Sequence, residues 1–92
     1  MIKSFAHKGL EKFFEDGGKK GIQPQHASKL GDILDMLDAA TVVKDMDAPG
    51  LRLHPWHPKD KGLWSVDVSG PWRVVFRFEN GNAYDVDYQQ PH

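Results

Sequence analysis

The sequence predicts an α+β domain, in which a short first strand and two helices precede a four-stranded antiparallel meander. Three observations lead to this fold class. Apolar residues recur at helical spacing early in the chain, they alternate with polar residues from residue 51 onward, and turn-forming residues separate the alternating segments. The two helices are expected to pack on one face of the sheet, and residues 1–92 to form one domain.

The first half of the chain carries the strand and helix signals in order. Residues 2–5 (IKSF) are apolar enough for a short strand. Leu10, Phe13 and Phe14 then have helical spacing, and the Gly-Gly pair at 17–18 supplies a stop. The second helix is expected from about Gln25 to Ala39, with Pro24 in its first turn, because four apolar residues repeat at i, i+3, i+4 and i+7: Leu30, Ile33, Leu34 and Leu37.

The second half changes to a period of two, which predicts four strands. Pro49-Gly50 marks the turn before them, and Asn80-Gly81 is a strong hairpin signal. The strands are expected at LRLH (51–54), LWSVDV (63–68), WRVVFRF (72–78) and AYDVDY (83–88), with a proline-containing loop, HPWHPKDKG, between the first two.

The alternation assigns side chains to two faces of the predicted sheet. Because two helices cover only one face, the apolar set is expected to pack beneath them: Leu53, Trp64, Val66, Trp72, Val74, Phe76, Tyr84 and Val86. The other face then collects polar residues: Arg52, His54, Ser65, Asp67, Arg73, Arg77, Asp85 and Asp87. A half-solvated antiparallel sheet is ordinary, so the pattern alone leaves open whether this polar face is functional.

Composition narrows the function classes. The absence of cysteine excludes disulfides, thiolate chemistry and zinc sites with sulfur ligands. The chain has no long apolar run, and its first ten residues turn polar too soon for a signal peptide, so the cytoplasm is the expected location. The 12 Lys and Arg against 13 Asp and Glu argue against nucleic-acid binding through bulk charge, although a local basic face is still compatible with them.

A metal site at His54-x-x-His57 is one interpretation of the segment LHPWHPKDK. A catalytic zinc site needs three protein ligands, and Asp60, Asp67 and His92 are candidates for the third without any of them being fixed by spacing. The helical metalloprotease pattern does not apply, because the prolines at 55 and 58 exclude a helix. A metal-dependent hydrolase therefore stays a distant alternative.

RNA cleavage without a metal requires three kinds of group, and the chain contains residues of each kind. A base must take a proton from the 2′-hydroxyl, an acid must protonate the leaving 5′-oxygen, and a cation must stabilise charge on the phosphate. Histidine can fill either proton-transfer role and arginine suits phosphate oxygens, which makes His54, Arg73 and His92 candidates. The competing interpretations are a solvated loop for His54 and His57, a salt bridge for Arg73 and a frayed terminus for His92.

Several short motifs together resemble one known family over essentially the whole chain. They are the opening MIKSF.HKGL, LHP after the helices, W.V.V, WRV.F.F.NG.AY and a final histidine. This combination resembles the HigB-type toxins of the RelE superfamily. The resemblance implies a type II toxin that enters the ribosomal A site, contacts ribosomal RNA, cleaves translated mRNA without a cofactor and arrests growth. It also implies a HigA-like helix-turn-helix antitoxin, through which the toxin would reach operator DNA.

The resemblance also implies roles for individual residues. The family's active-site histidine, arginine and carboxy-terminal histidine fall on His54, Arg73 and His92. The family's lysine a few residues after the first histidine is replaced by His57, with two lysines nearby. We expect five residues to hold RNA or the ribosome: Arg52, His57, Lys59, Lys61 and Arg77.

The tail departs from the family pattern. The family commonly ends in an Asp-Tyr-His-like triplet, whereas this chain ends Gln90-Pro91-His92 and has no basic excess. A second hypothesis follows from these two departures. The chain would then be a weakly active or inactive toxin-like protein that binds its antitoxin and acts in transcriptional autoregulation.

Overall fold

The computed structural model describes residues 1–57 and 59–90, and for His57, Asp60 and Lys61 it describes the backbone alone. Helix α1 spans Lys8–Asp16 and helix α2 spans Ala27–Ala39, with single 3₁₀ turns at Pro24–His26 and Val43–Met46. Four strands follow in one antiparallel sheet whose spatial order is the chain order: β1 His54–His57, β2 Asp60–Ser69, β3 Trp72–Glu79 and β4 Asn82–Gln89. The predicted α+β fold class, two helices followed by an antiparallel meander, is confirmed.

Helix α1 begins and ends at residues that cap it, and α2 is recognised by its buried face. The Nδ1 atom of His7 accepts a hydrogen bond from the backbone N–H of Leu10 at 3.0 Å, which satisfies a free donor in the first turn of α1. Gly17 ends α1 in the left-handed conformation, and its N–H donates to the carbonyl of Phe13. In α2 the predicted apolar stripe is buried, so this helix covers the sheet with the four residues that identified it: Leu30, Ile33, Leu34 and Leu37.

The first residues of the chain lie beside β4. Ile2 pairs with Ala83 and Phe5 with Val86, both in parallel orientation, and four backbone hydrogen bonds join the two segments. The predicted first strand is therefore present only as two isolated bridges. A continuous ladder does not form because β4 is irregular between the two bridges, as described below.

The turn at Asn80-Gly81 agrees with the sequence prediction, whereas the bounds of the first strand differ from it. At Asn80-Gly81 both residues have positive φ, 51° and 77°, as a two-residue hairpin turn requires. The strand predicted at 51–54 instead begins at His54, because Arg52 has a φ of +50° and interrupts extended backbone. The predicted proline loop is largely strand: β1 pairs with β2 from His54↔Ser65 to His57↔Asp60. Proline is tolerated at position 55 because β1 is an edge strand.

A β-bulge in β4 reverses the faces predicted for the residues that precede it. Asp85 has a φ of +53°, and its N–H donates to the Ser4 hydroxyl at 2.9 Å. Arg77 of β3 pairs with Tyr84, whereas Val75 pairs with Asp87, so β4 carries one extra residue there. The prediction that Tyr84 faces the helices is therefore wrong: Ala83 is the core residue, fully buried, and Tyr84 points the other way.

The core lies between the helices and the inner face of the sheet. Its fully buried side chains include Leu10, Leu34, Met46, Val74 and Phe76. Of the predicted inward set, Leu53, Trp64 and Trp72 are half-buried and pack against this core. Among the described residues, none of the helices has both the length and the apolarity that a membrane span requires.

Tyr88 fastens the end of β4 to the loop before α2. Its hydroxyl lies 2.6 Å from Nδ1 of His26 and accepts from the N–H of Gln23 at 3.4 Å, so its own proton is available to the imidazole. The ring stacks on Trp72 with centroids 4.5 Å apart. These contacts hold the end of β4 in place at Tyr88. The strand ends at Gln89, one residue later.

We expect Tyr88→Phe to lower the free energy of unfolding by about 1 kcal/mol at neutral pH, since a buried hydrogen bond is lost. Burial raises the pKa of Tyr88 above its usual 10.0, and the Gln23 N–H opposes this less strongly. The folded chain thus keeps this proton where the unfolded chain releases it. The contribution is complete below pH 10 and is lost as pH rises through the folded pKa.

Chemical unfolding of both forms between roughly pH 8 and pH 11 checks this expectation. The wild type should lose stability more steeply than Tyr88→Phe above pH 10. Equal slopes for the two forms would contradict it.

Candidate active site

The outer face of the sheet, turned away from the helices, carries three parallel rows of side chains set by strand register. The first row is Asp67, Arg73 and Gln89, the second is His54, Ser65, Val75 and Asp87, and the third is Leu63, Arg77 and Tyr84. Neighbouring rows are two residues apart along β2 and β3, which is about 7 Å, and the β4 bulge adds one residue between Asp87 and Tyr84. The histidine row therefore lies between two rows that each contain an arginine.

His54 is exposed, yet both of its ring nitrogens have partners. Nδ1 lies 2.6 Å from the carbonyl oxygen of Arg52, and Nε2 lies 3.0 Å from the hydroxyl of Ser65. A carbonyl oxygen only accepts, so Nδ1 carries a proton and Nε2 of the neutral ring accepts from Ser65. These two contacts fix the orientation of the ring and, for the neutral imidazole, its tautomer, in which Nε2 carries no proton.

Ser65 was assigned to the polar face from its alternation, without a role in the site. Ser65 is fully buried and pairs with His54 across the two strands. Its short side chain places the hydroxyl within hydrogen-bond distance of the imidazole. The left-handed backbone at Arg52 turns its carbonyl towards the other side of the same ring. Neither partner could be recognised from spacing alone, because both depend on the register and the turn.

Arg73 is held in place by three contacts. Its Nε lies 3.0 Å from Oδ1 of Asp67, and its NH1 donates to the carbonyls of Gly70 and Trp72 at 2.7 and 2.9 Å. Oδ1 of Asp67 is buried and, within the described part of the chain, receives no hydrogen bond, so Arg73 neutralises it by charge. The salt bridge that the sequence offered as an alternative is present. The guanidinium is nevertheless 22% exposed at its own position on the outer face.

Arg52 and Arg77 lie at different places around this site. Arg52 is 79% exposed and its NH1 is 3.7 Å from Oδ2 of Asp67, a loose ion pair. The Arg77 side chain lies over Gly62, where an added Cβ would approach NH1 to 2.7 Å. A glycine at position 62 thus leaves room for this arginine.

Three predicted site residues are only partly within the described structure, or outside it: His57, Lys61 and His92. His57 and Lys61 are described by backbone alone, and Lys59 is exposed at the turn between β1 and β2. His92 lies outside the described residues, so its placement relative to His54 stays a prediction. The structure brings together His54, Arg73 and Arg77 on one face and puts Lys59 at the end of it.

The arrangement forms an open surface. No cavity is present in the described part of the chain, so His54, Arg73 and Arg77 lie on an open face of the sheet. Among side chains that the structure describes, no group of three His, Asp or Glu is placed to hold a metal ion.

Comparisons with known proteins identify the family of the chain. A family model for RelE-like toxins of the type II toxin–antitoxin system HigB matches residues 3–92. The chain belongs to the HigB-like toxin family. It is 39% identical to the "Endoribonuclease HigB" of Proteus vulgaris over 92 residues, which is the full length of both chains. It is also 27% identical over 85 residues to an uncharacterised protein of Haemophilus influenzae, covering 90% of this chain and 83% of that one.

Membership of the HigB-like family confirms the resemblance that the sequence motifs indicated. A type II toxin has an antitoxin partner, so an antitoxin is expected to accompany this HigB-like chain.

Proposed function

We propose that this HigB-like chain is a ribosome-dependent mRNA endonuclease that inhibits translation and growth. The observation that carries the proposal is the position of His54, held in one tautomer on an open sheet face between Arg73 and Arg77. Full-length similarity to a protein named as an endoribonuclease supports the reaction class.

The proposed reaction needs no metal or cofactor. The 2′-oxygen of RNA attacks the adjacent phosphorus, a new O–P bond forms and the bond from phosphorus to the 5′-oxygen breaks. One imidazole removes the proton of the 2′-hydroxyl and another supplies a proton to the leaving oxygen. His54 and His92 take these two roles in an order that we leave unassigned, and Arg73 stabilises the charge on phosphorus.

His54 must change partners for this reaction. In the free chain Nε2 is bonded to Ser65, so an RNA oxygen replaces the serine hydroxyl during proton transfer while the Arg52 carbonyl keeps hold of Nδ1. The exchange gives the ring a new hydrogen bond but leaves the buried Ser65 hydroxyl without its acceptor, so contacts to the RNA must offset that cost.

RNA binding is assigned to positive side chains around the site. Arg77 lies one row from His54. Arg52 is exposed beside Asp67, on the other side of His54, and Lys59 is exposed in the turn between β1 and β2. We propose that these three, together with His57 and Lys61, hold the mRNA backbone and ribosomal RNA. A local basic face is then compatible with the net charge of −1.

The proposed partner is a helix-turn-helix antitoxin of the HigA type, encoded next to the toxin. It would neutralise the toxin and connect it to operator DNA. Co-expression with the product of the neighbouring reading frame should restore growth, and purification should recover a complex of the two chains.

The proposal is tested by expressing wild type, His92→Ala and Gln90→Ala under an inducible promoter. We expect wild type and Gln90→Ala to arrest growth and to cut mRNA on translating ribosomes. His92→Ala should relieve the arrest and reduce cleavage by about 10²-fold, because one proton-transfer group is lost. Gln90→Ala is the matched control, since it alters the same tail without removing an imidazole.

The tail also favours a second candidate function, that of an inactive toxin-like protein that acts with its antitoxin in transcription. Gln90-Pro91 stands where the family commonly has a carboxylate and a phenol, and Pro91 cannot donate a backbone hydrogen bond. Absence of cleavage on translating ribosomes, together with a tight antitoxin complex, would establish this candidate and overturn the first.

A further inference from the structure

The β4 bulge leaves an aromatic side chain outside the core. Tyr84 is half-buried, but it does not belong to the hydrophobic cluster or to the apolar residues that pack against it. Its neighbours Ala83 and Val86 are both fully buried in that cluster. Regular alternation would put Tyr84 on the same side as Val86, so the extra residue at Asp85 is what turns the phenol ring to the outer face.

The row that contains Tyr84 has a distinctive composition. Arg77 pairs with Leu63 on one side and with Tyr84 on the other. Leu63 is also half-buried without packing against the core. Arg77 is thus paired with an aliphatic residue on one strand and an aromatic one on the other, on the face opposite the helices, while its NH1 lies over Gly62.

This composition matches one kind of ligand. A nucleobase has two flat faces that stack on an aromatic ring, and the phosphate attached to its sugar is attracted by arginine. The row is adjacent to the His54 row, but Tyr84 lies on β4, three strands from His54 on β1, which puts them about 16 Å apart by strand spacing. More than one nucleotide of an RNA strand lying across the sheet therefore separates the two.

We propose that Tyr84 and Arg77 form a nucleobase-binding subsite for single-stranded RNA, on the same outer sheet face as the residues proposed to cleave it. The base stacks on the ring of Tyr84, its phosphate contacts Arg77, and Leu63 covers the edge of the stack. This subsite deepens the proposed endonuclease function and rests on it for its role in cleavage. Binding of a single-stranded oligonucleotide by the row does not depend on cleavage.

Two measurements separate stacking from simple packing. The first is steady-state cleavage of mRNA on translating ribosomes by three variants at position 84. Tyr84→Ala should raise KM about tenfold with kcat changed less than about twofold, since stacking on one base contributes to binding rather than to proton transfer. Tyr84→Phe should behave as wild type, and Tyr84→Leu should behave as Tyr84→Ala, because leucine keeps apolar bulk without an aromatic face.

The second measurement uses the fact that the chain has only two tyrosines. With tyrosine rings isotopically labelled, a short single-stranded RNA should shift the ring signals of Tyr84 by stacking. Tyr88, which is buried against Trp72, is the internal control and should not move. A duplex of the same sequence should give no shift, since its bases are not available.

The possible results distinguish this inference from the proposed function. If wild type cleaves mRNA and Tyr84→Ala has an unchanged KM, or if Tyr84→Leu matches wild type, the subsite is wrong while the endonuclease stands. If wild type does not cleave but the Tyr84 signals move with single-stranded RNA, the endonuclease fails and the base-binding row stands. An unchanged Tyr84 signal at saturating RNA overturns the inference directly.

Discussion

Replacing Arg73 with alanine is expected to reduce mRNA cleavage by about 10²- to 10³-fold, which is the usual effect of removing one preorganised donor from a transition state. The three contacts of this guanidinium to Asp67, Gly70 and Trp72 set its position before RNA binds. Charge that develops on the phosphate then meets a fixed cation. Cleavage of ribosome-bound mRNA and growth after induction measure the loss.

The same contacts mean that Arg73→Ala also affects folding. Asp67 would keep a buried carboxylate oxygen without its cation, which is expected to cost about 1–3 kcal/mol of stability. The double variant Arg73→Ala with Asp67→Asn removes that uncompensated charge and should recover most of the stability without recovering cleavage. Recovery of cleavage in the double variant would mean that Arg73 acts on folding alone.

Two further variants separate charge from geometry at this position. Arg73→Lys keeps the positive charge but loses the planar fork and the contacts to the two carbonyls, so we expect it to recover only part of the activity. Lys12→Ala removes one positive charge from the exposed surface of α1, in an ion pair with Asp16, and should leave cleavage unchanged. Equal losses in Lys12→Ala and Arg73→Ala would point to overall charge rather than to Arg73.

Elements with a regular sequence pattern could be predicted, whereas positions where a single residue interrupts the pattern could not. The stripe of four apolar residues in α2 and the Asn80-Gly81 turn each encode a regular structure, and both are present. The error at Tyr84 arose because period-two alternation carries no signal for an extra residue. Asp85 is compatible with positive φ, but aspartate is also common in regular turns and exposed strands, so it did not identify the bulge.

The candidate site was predictable residue by residue but not as an arrangement. Alternation placed His54, Arg73 and Arg77 on one face, and strand register confirms that they share it. The partners that define the chemistry of His54 come from a left-handed turn at Arg52 and from a serine eleven residues later in the chain. Such contacts depend on which residues lie opposite each other, and a sequence without known register does not contain that information in readable form.

Replacing His54 with asparagine is expected to lower kcat by about 10³-fold, within the range for a positioned proton-transfer group. Asparagine is the informative replacement because its amide N–H can still donate to the Arg52 carbonyl, as Nδ1 of His54 does. It has no atom that takes up or releases a proton near neutral pH. The lower kcat therefore measures the lost proton transfer, because the contact to the Arg52 carbonyl at the start of β1 is kept.

The stability of His54→Asn decides how the result is interpreted. Because the histidine ring is exposed, its replacement removes little buried area, and thermal unfolding should change by no more than a few degrees. The hydroxyl of Ser65 loses its partner, which accounts for a small decrease. Full cleavage by a stably folded His54→Asn would show that this histidine only fastens β1 to β2. The proton would then have to move through other groups, and the centre of the reaction would lie nearer to Arg73.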